Sequence, residues 1–244
     1  MKLLVVETLN MMAVEIAEHR FSRAAPCAEA LASAVALALA AGLAERDQVS
    51  LVVPGGTTPQ RFLEALAHKP LDWSRVTVIT GDERWVPVGH PDSNEGMVRA
   101  AFRHGPAAAA RLVGLWVEGT VEPALALTEV SARLASCPRP WQVAVLGLGA
   151  DGHVASLFPG QSWGKQPGAA PCLAAIAPDG SARLSLSLCA LVEARHLILL
   201  FGGATKRAAF DRALGRATSG NDLPLVALLS RRAGPVDVYY FSHE

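Results

Sequence analysis

The sequence has no excess charge of either sign and few cysteines. Its 22 lysines and arginines balance 22 aspartates and glutamates, so the composition predicts neither a nucleic-acid partner nor an anionic membrane partner. The four cysteines, Cys27, Cys137, Cys172 and Cys189, include no C-x-x-C pair and no metal-finger spacing. Reduced thiols in a cytoplasmic protein are therefore the simpler interpretation.

Long apolar runs and clustered histidines are also lacking. Only four consecutive apolar residues precede Glu7, and this run is too short for the apolar region of a signal peptide. The alanine-rich segment 24–44 is uncharged only from Ala30 to Ala44, less than the ~20 residues that span a bilayer, so we expect a buried or half-buried helix. The seven histidines have no i, i+4 pair and no cysteine partner, so no metal site is predicted.

The apolar content is enough for one α/β domain over residues 1–244. Hydrophobic residues make up 51% of the chain, and short apolar runs alternate with helical patterns. This alternation predicts a mostly parallel, Rossmann-like sheet with helices on both faces. The predicted strands are Val49–Val53, Val76–Thr80, Leu112–Trp116, Val143–Leu146, Leu184–Leu188, His196–Phe201, Val226–Leu229 and Val236–Phe241. The predicted helices are Ala28–Ala44, Pro59–Ala67, Ser93–Phe102, Pro123–Ala135 and Thr205–Leu214. Residues 160–171, rich in Gly, Pro and Gln, are expected to form a mobile surface segment.

The segment Val143–Gly160 carries an acid and an imidazole directly after a predicted strand. Its sequence, VAVLGLGADGHVASLFPG, places Asp151 and His153 in a glycine-rich turn. Parallel sheets bind ligands at the carboxyl ends of their strands. We therefore expect the functional site at this edge.

A second predicted strand ends in LVVPGGTTP, residues 51–59, before a helix. Gly55 and Gly56 would let the backbone approach an anion, and Thr57 or Thr58 could cap the helix that Pro59 opens. Free N–H groups at that helix start would then favour a phosphate. An ordinary strand-to-helix turn needs the same residues, so both interpretations remain open. The spacing is not that of a Walker A loop.

Charged residues follow two further strands. Gly81 is followed by Asp82, Glu83 and Arg84, which we expect to be exposed at the strand end. A solvated turn would also explain three consecutive charges, and the convergence of several polar strand ends favours a site. The segment HLILLFGGATK ends at Lys206, where a cation could meet a phosphate. Arg183 could supply a second cation or could cover the sheet with its aliphatic stem.

In order along the chain, these motifs resemble the 6-phosphogluconolactonase family, which belongs with the glucosamine-6-phosphate deaminases. The matching motifs are PGGTTP at 54–59, LDWSRV at 71–76, GDERWVP at 81–87, DSN at 92–94, GLGADGHVASLFPG at 147–160, ARLSLSL at 182–188 and GGATK at 202–206. Deaminases usually have a tyrosine at the position of Arg84 and a glutamate at that of Phe158, which disfavours the sister group. Pro54 and Thr57 replace serines common in the family, and the C-terminal YYFSHE lacks its usual aspartate.

The resemblance implies hydrolysis of 6-phospho-D-glucono-1,5-lactone to 6-phosphogluconate in the oxidative pentose phosphate pathway, without a cofactor. Such a reaction needs a positioned water, a base and charge stabilisation for an oxyanion. We assign His153 as the base and Asp151 as the residue that orients it. Arg84 either binds substrate oxygens or stabilises the developing negative charge. Asp82 is assigned as a substrate-binding residue. The assigned phosphate-binding residues are Gly55, Gly56, Thr57, Thr58, Arg183 and Lys206.

Other functions remain alternatives. GQSWG at 160–164 matches the G-x-S-x-G nucleophile elbow, with Asp179 and His196 in the order of a serine esterase, although Pro159 precedes it. Gly147, Gly149 and Gly152 match the G-x-G-x-x-G dinucleotide fingerprint, although Pro159 would stop its helix. A deaminase-like enzyme and a noncatalytic sugar-phosphate sensor would use the same scaffold.

Overall fold

A seven-stranded parallel sheet with helices on both faces forms the centre of the protein. A computed structural model describes residues 14–56, 58–165, 168–216 and 223–243. The strand order is β1-β10-β9-β6-β2-β3-β5, and every neighbouring pair is parallel. The predicted α/β class is confirmed. The strands are β1 Ile16–Arg23, β2 Val49–Val53, β3 Val76–Thr80, β4 Asp82–Arg84, β5 Arg111–Val113, β6 Val143–Gly147, β7 Cys172–Ile176, β8 Ala182–Leu186, β9 His196–Gly202 and β10 Val236–His243. The helices are α1 Ala24–Glu45, α2 Gln60–Ala67, α3 Asn94–Ala101, α4 Leu127–Ala135, α5 Leu188–Val192, α6 Ala204–Arg216 and α7 Pro224–Arg231.

The central strands are buried on both faces because their side chains alternate between two helical layers. Leu51 and Val53 of β2 pack in a cluster with α1, α2 and α3. Val52 packs in the opposite cluster with α4, α5, α6 and α7. This two-sided burial explains why β2 and β6 are nearly continuous apolar runs.

Helix α1 is half-buried, as the alanine-rich segment predicted. By length and composition alone, α1 is long and apolar enough to cross a membrane, as the core helices of soluble proteins also can be. In its most apolar 18-residue stretch, 44% of the residues are buried. Cys27, Leu31, Val35 and Leu39 are fully buried in the cluster beneath it. Its apolar character is thus accounted for by packing against the sheet.

The strand predicted at Val226–Leu229 is wrong, because these residues lie within α7. Pro224 occupies the first turn of this helix, where its fixed φ and missing N–H are tolerated. The strands predicted at Leu112–Trp116 and Leu184–Leu188 are displaced. The first ends at Val113, and the second ends at Leu186, after which Ser187 caps α5.

A small antiparallel sheet, β4-β8-β7, was not predicted. In this sheet β4, which follows β3 almost directly, pairs with β8. The expected surface position of segment 160–171 is wrong at Trp163, which is 1% exposed and donates its indole N–H to the Phe158 carbonyl at 2.6 Å.

Candidate active site

A cavity of about 590 Å³ opens at the carboxyl edge of the seven-stranded sheet. The loops after β2, β3 and β6 and the start of α6 line it. Strands β3 and β5, which follow β2 in the chain, lie on one side of β2 in the sheet. Strands β9 and β10, which follow β6, lie on the opposite side of β6, so the boundary between β2 and β6 is a switch point of the topology. Open α/β sheets place their ligands at such a point.

His153 and Asp151 form a hydrogen-bonded pair at the cavity. Nδ1 of His153 lies 2.6 Å from Oδ1 of Asp151. The same oxygen accepts the backbone N–H of His153 at 3.2 Å. Because a carboxylate only accepts hydrogen bonds, this contact favours the tautomer of the neutral imidazole that carries its proton on Nδ1 and has Nε2 as the acceptor. His153 lines the cavity and its side chain is 32% exposed, so this nitrogen belongs to an accessible imidazole.

Asp82 also lines the cavity and is held by two side chains. The Ser156 hydroxyl donates to Oδ2 of Asp82 at 2.6 Å, and the Asn94 amide donates to Oδ1 at 3.3 Å and to the Asp82 carbonyl at 2.9 Å. Asn94 lies so close to Gly55 that a Cβ there would be 2.0 Å from the amide nitrogen. Gly55 thus leaves the space that is occupied by the Asn94 amide, which in turn holds Asp82.

Glu83 is fully buried, so its expected exposure at the strand end is wrong. Its carboxylate accepts the backbone N–H groups of Arg84, Asn94 and Glu95 at 2.9, 2.7 and 2.7 Å. The Ser93 hydroxyl donates to the same carboxylate at 3.3 Å. Burial raises the pKa of Glu83 to about 7, although the backbone hydrogen bonds act to lower it. Glu83 therefore joins β4 to the beginning of α3.

Arg84 and Arg183 are directly opposite each other in the β4–β8 pair. Opposed residues present their side chains on the same face of a sheet. Burial, followed by the neighbouring charge of Arg84, lowers the pKa of Arg183. Arg84 donates to the Asp92 carbonyl at 2.7 Å and lines the cavity. Two adjacent guanidinium groups make this rim of the site favourable for an anion.

The expected phosphate-binding elements lie on the other strand ends. Gly55, Gly56, Thr58 and Lys206 line the cavity, whereas Thr57 lies outside the described residues. Helix α2 begins at Gln60, and Pro59 rather than Thr58 occupies its N-cap position, without a side-chain hydrogen bond; Thr57, the other threonine expected to cap this helix, lies outside the described residues. The first N–H groups of this helix have no partner within it and carry its positive dipole end.

The structure therefore brings most of the predicted site residues to one cavity. Asp151 and Arg183 are outside its lining, but each is next to a residue that lines it, His153 and Arg84. The sequence reasoning missed the supporting residues Glu83, Asn94 and Ser156. Asn94 belongs to the motif DSN and Ser156 to the motif GLGADGHVASLFPG, but nothing in the sequence indicated their contacts with Asp82.

Two alternative motifs lack the structure they require. Ser162 is exposed in an irregular segment, and within the described residues 148–165 and 168–171 neither a strand before it nor a helix after it forms the nucleophile elbow. No helix follows Gly147, Gly149 and Gly152 within the described part of segment 147–171, so the dinucleotide fingerprint lacks its helix N-terminus.

The fold and the cavity define an α/β protein with an imidazole, carboxylates and guanidinium groups at its switch point. The family model described as glucosamine-6-phosphate isomerases/6-phosphogluconolactonase matches residues 22–236. The chain belongs to this family.

Individual relatives agree with this assignment. A 6-phosphogluconolactonase of Pseudomonas aeruginosa is 44% identical over 200 residues, which cover 78% of this chain and 82% of that protein. A 6-phosphogluconolactonase of Pseudomonas putida is 39% identical over 227 residues, covering 91% of each. The crystal structure of a 6-phosphogluconolactonase from Shewanella baltica has a TM-score of 0.88 at 30% identity, covering 97% of this chain and 100% of that one.

Proposed function

We propose that the protein is a 6-phosphogluconolactonase, which hydrolyses 6-phospho-D-glucono-1,5-lactone to 6-phosphogluconate in the oxidative pentose phosphate pathway. The observation that carries the chemistry is the imidazole of His153, held at Nδ1 by Asp151 with Nε2 left as an acceptor. The relatives named 6-phosphogluconolactonase support this substrate, because they match most of the chain at 39–44% identity.

His153 acts as the general base in this proposal. Nε2 takes a proton from a water molecule, whose oxygen forms a bond to the lactone carbonyl carbon. The resulting tetrahedral oxyanion collapses by breaking the bond to the ring oxygen, which receives the proton from Nε2. Asp151 keeps the proton on Nδ1 and stabilises the imidazolium that forms in between.

Arg84 binds the carbonyl oxygen as negative charge develops on it, or binds neighbouring substrate oxygens. A guanidinium in this position stabilises the transition state more than the ground state, because the charge appears only there. Asp82, fixed by Ser156 and Asn94, accepts hydrogen bonds from sugar hydroxyls. Both residues line the same cavity as His153, which supports a shared substrate.

The phosphate group binds to Gly55, Gly56, Thr57, Thr58, Lys206 and Arg183 in this proposal. The unpaired N–H groups at the start of α2 and the cation of Lys206 suit a dianion. The reaction needs water as its only co-reactant, and we propose that it runs without a cofactor. A cytoplasmic location is supported by the spacing of the four cysteines in the sequence, which include no C-x-x-C pair.

The test measures the disappearance of lactone generated in situ by glucose-6-phosphate dehydrogenase, with purified protein and with a blank that reports spontaneous hydrolysis. We expect the protein to accelerate the decay. Decay at the blank rate would overturn the proposal. In that case, ammonia release from glucosamine 6-phosphate would identify a deaminase, and binding of 6-phosphogluconate without turnover would identify a sensor.

A further inference from the structure

Gly149 lies directly against the imidazole of His153. A Cβ built on Gly149 would be 2.2 Å from both Cε1 and Nδ1 of this ring, and 2.7 Å from Oδ1 of Asp151. Real Cβ atoms do not approach other atoms so closely. The ring and its carboxylate partner therefore occupy the space that any other residue at position 149 would need.

The backbone at position 149 does not itself require glycine. Gly149 is not among the residues with positive φ, unlike Gly152 at +89° in the same turn. Its N–H donates to the His153 carbonyl at 2.9 Å, and its carbonyl accepts the Gly152 N–H at 3.1 Å, bonds that alanine also makes. The three atoms nearest to a Cβ at position 149 all belong to the side chains of His153 and Asp151, so the closest conflict of a larger residue is with this pair.

The imidazole has other neighbours that limit where it could move. The Phe158 ring packs against it with centroids 4.9 Å apart. Phe158 is 5% exposed, and its carbonyl is bonded to the buried Trp163 indole. A ring displaced by a Cβ at 149 would lose its 2.6 Å bond to Asp151, which is its only hydrogen bond in the described structure.

We propose that Gly149 is a positioning residue for His153: the absence of a side chain there allows the imidazole to bond Asp151 and to point Nε2 into the cavity. This inference rests on the proposed function for its kinetic consequence. Its structural part, the tautomer and orientation of the ring, holds for any reaction at this site.

The kinetic test compares Gly149→Ala with the wild type. We expect kcat to fall ~10²-fold, since small displacements of a catalytic group have effects of that size, while KM changes less than about threefold. Gly89→Ala is the matched control, because a Cβ at Gly89 meets nothing within 4 Å and its φ is ordinary. An unchanged kcat in Gly149→Ala would overturn the proposal, as would an equal loss in the control.

A second test does not depend on activity. Imidazole ¹⁵N shifts, assigned by the signal that disappears in His153→Ala, report the tautomer. We expect the wild type to show Nδ1 protonated and bonded, and Gly149→Ala to lose this signature. If the wild type fails to hydrolyse the lactone but the Nδ1 signature is present in the wild type and lost in Gly149→Ala, the proposed function fails and the positioning role stands. If the signature persists in Gly149→Ala, the positioning role fails.

A double variant covers the case in which Gly149→Ala does not fold. In His153→Ala the ring is gone, so the double variant His153→Ala/Gly149→Ala should fold and should melt close to the temperature of His153→Ala itself. A double variant that does not fold, or that melts far below His153→Ala, would show that Gly149 serves the backbone, and would contradict the proposal.

Discussion

The hydroxyl of Ser156 lies 2.6 Å from Oδ2 of Asp82, although the two residues are 74 positions apart in the sequence. Ser156 is 1% exposed, and its backbone N–H donates to the Ser185 hydroxyl at 3.2 Å. It therefore links the loops after β3 and β6 to strand β8. The bond fixes a cavity carboxylate relative to the turn that carries His153.

Ser156→Ala is expected to reduce kcat/KM about tenfold, mainly through KM. The variant removes a hydrogen bond to a charged group, worth about 1.5–3 kcal/mol, and lets the Asp82 carboxylate rotate away from the substrate hydroxyls. Steady-state kinetics on the lactone measures the effect. Ser162→Ala is the control because Ser162 is exposed, and it also tests the esterase interpretation. Loss of activity in the control, or an unchanged KM in Ser156→Ala, would contradict this account.

Asp151→Asn is expected to lower kcat ~10²-fold or more with little change in KM. An amide can donate to Nδ1 and so favours the tautomer whose Nε2 carries the proton and cannot act as a base. Asp72→Asn provides a matched control, since Asp72 is an exposed aspartate that also accepts a hydrogen bond from a residue two positions on. A kcat within twofold of the wild type would rule out Asp151 as the orienting partner.

Lys206→Ala is expected to raise KM for the phosphorylated lactone at least ~10-fold, because a charge-assisted bond to phosphate is lost. The same variant should hydrolyse unphosphorylated gluconolactone as the wild type does, which makes that substrate the internal control. Equal losses on both substrates would place Lys206 outside the phosphate subsite.

Glu83 should make folding stability depend on pH. Its folded pKa of about 7 lies above the ordinary value of 4.5, so the folded state holds an extra proton between these pH values. The contribution of Glu83 to the free energy of unfolding should therefore be highest below about pH 4.5 and should fall by roughly 3 kcal/mol as the pH rises to about 7.

Denaturant unfolding of the wild type and Glu83→Gln at pH 5, 6, 7 and 8 measures this dependence. The difference between the two proteins should change with pH and level off above about pH 7. The exposed Glu64→Gln should follow the wild type throughout. Parallel curves for the wild type and Glu83→Gln would show that Glu83 stays ionised among its backbone donors.

The sequence predicted the sheet well where strands are buried on both faces, and less well elsewhere. Val143–Leu146 is a continuous apolar run, and Val49–Val53 is interrupted only by Ser50, because helices cover both sides. Four apolar residues at Val226–Leu229 do not distinguish a strand from a buried helix, and Pro224 was the available signal for the helix. Strand β1, with Glu18, His19 and Arg20, is an edge strand paired only with β10, so it lacks the apolar signature.

The location of the candidate site was predictable because glycines at or just after the ends of β2, β3, β6 and β9 mark the carboxyl edge of the sheet. Its supporting contacts were not, since they arise only when distant segments fold together. Glu83 carries the same charge as its neighbour Asp82, yet one is fully buried under α3 and the other lines the cavity. Alternation along β4 separates their faces, and no local pattern in a three-residue strand shows which face is buried.

The most direct test of the central claim, that His153 activates water for lactone hydrolysis, compares His153→Ala with the wild type on 6-phosphogluconolactone after subtraction of the blank. We predict that kcat falls ~10²–10⁴-fold, while binding of 6-phosphogluconate, measured by calorimetry, is retained through the phosphate subsite. Turnover by a folded His153→Ala at the wild-type rate would contradict the account.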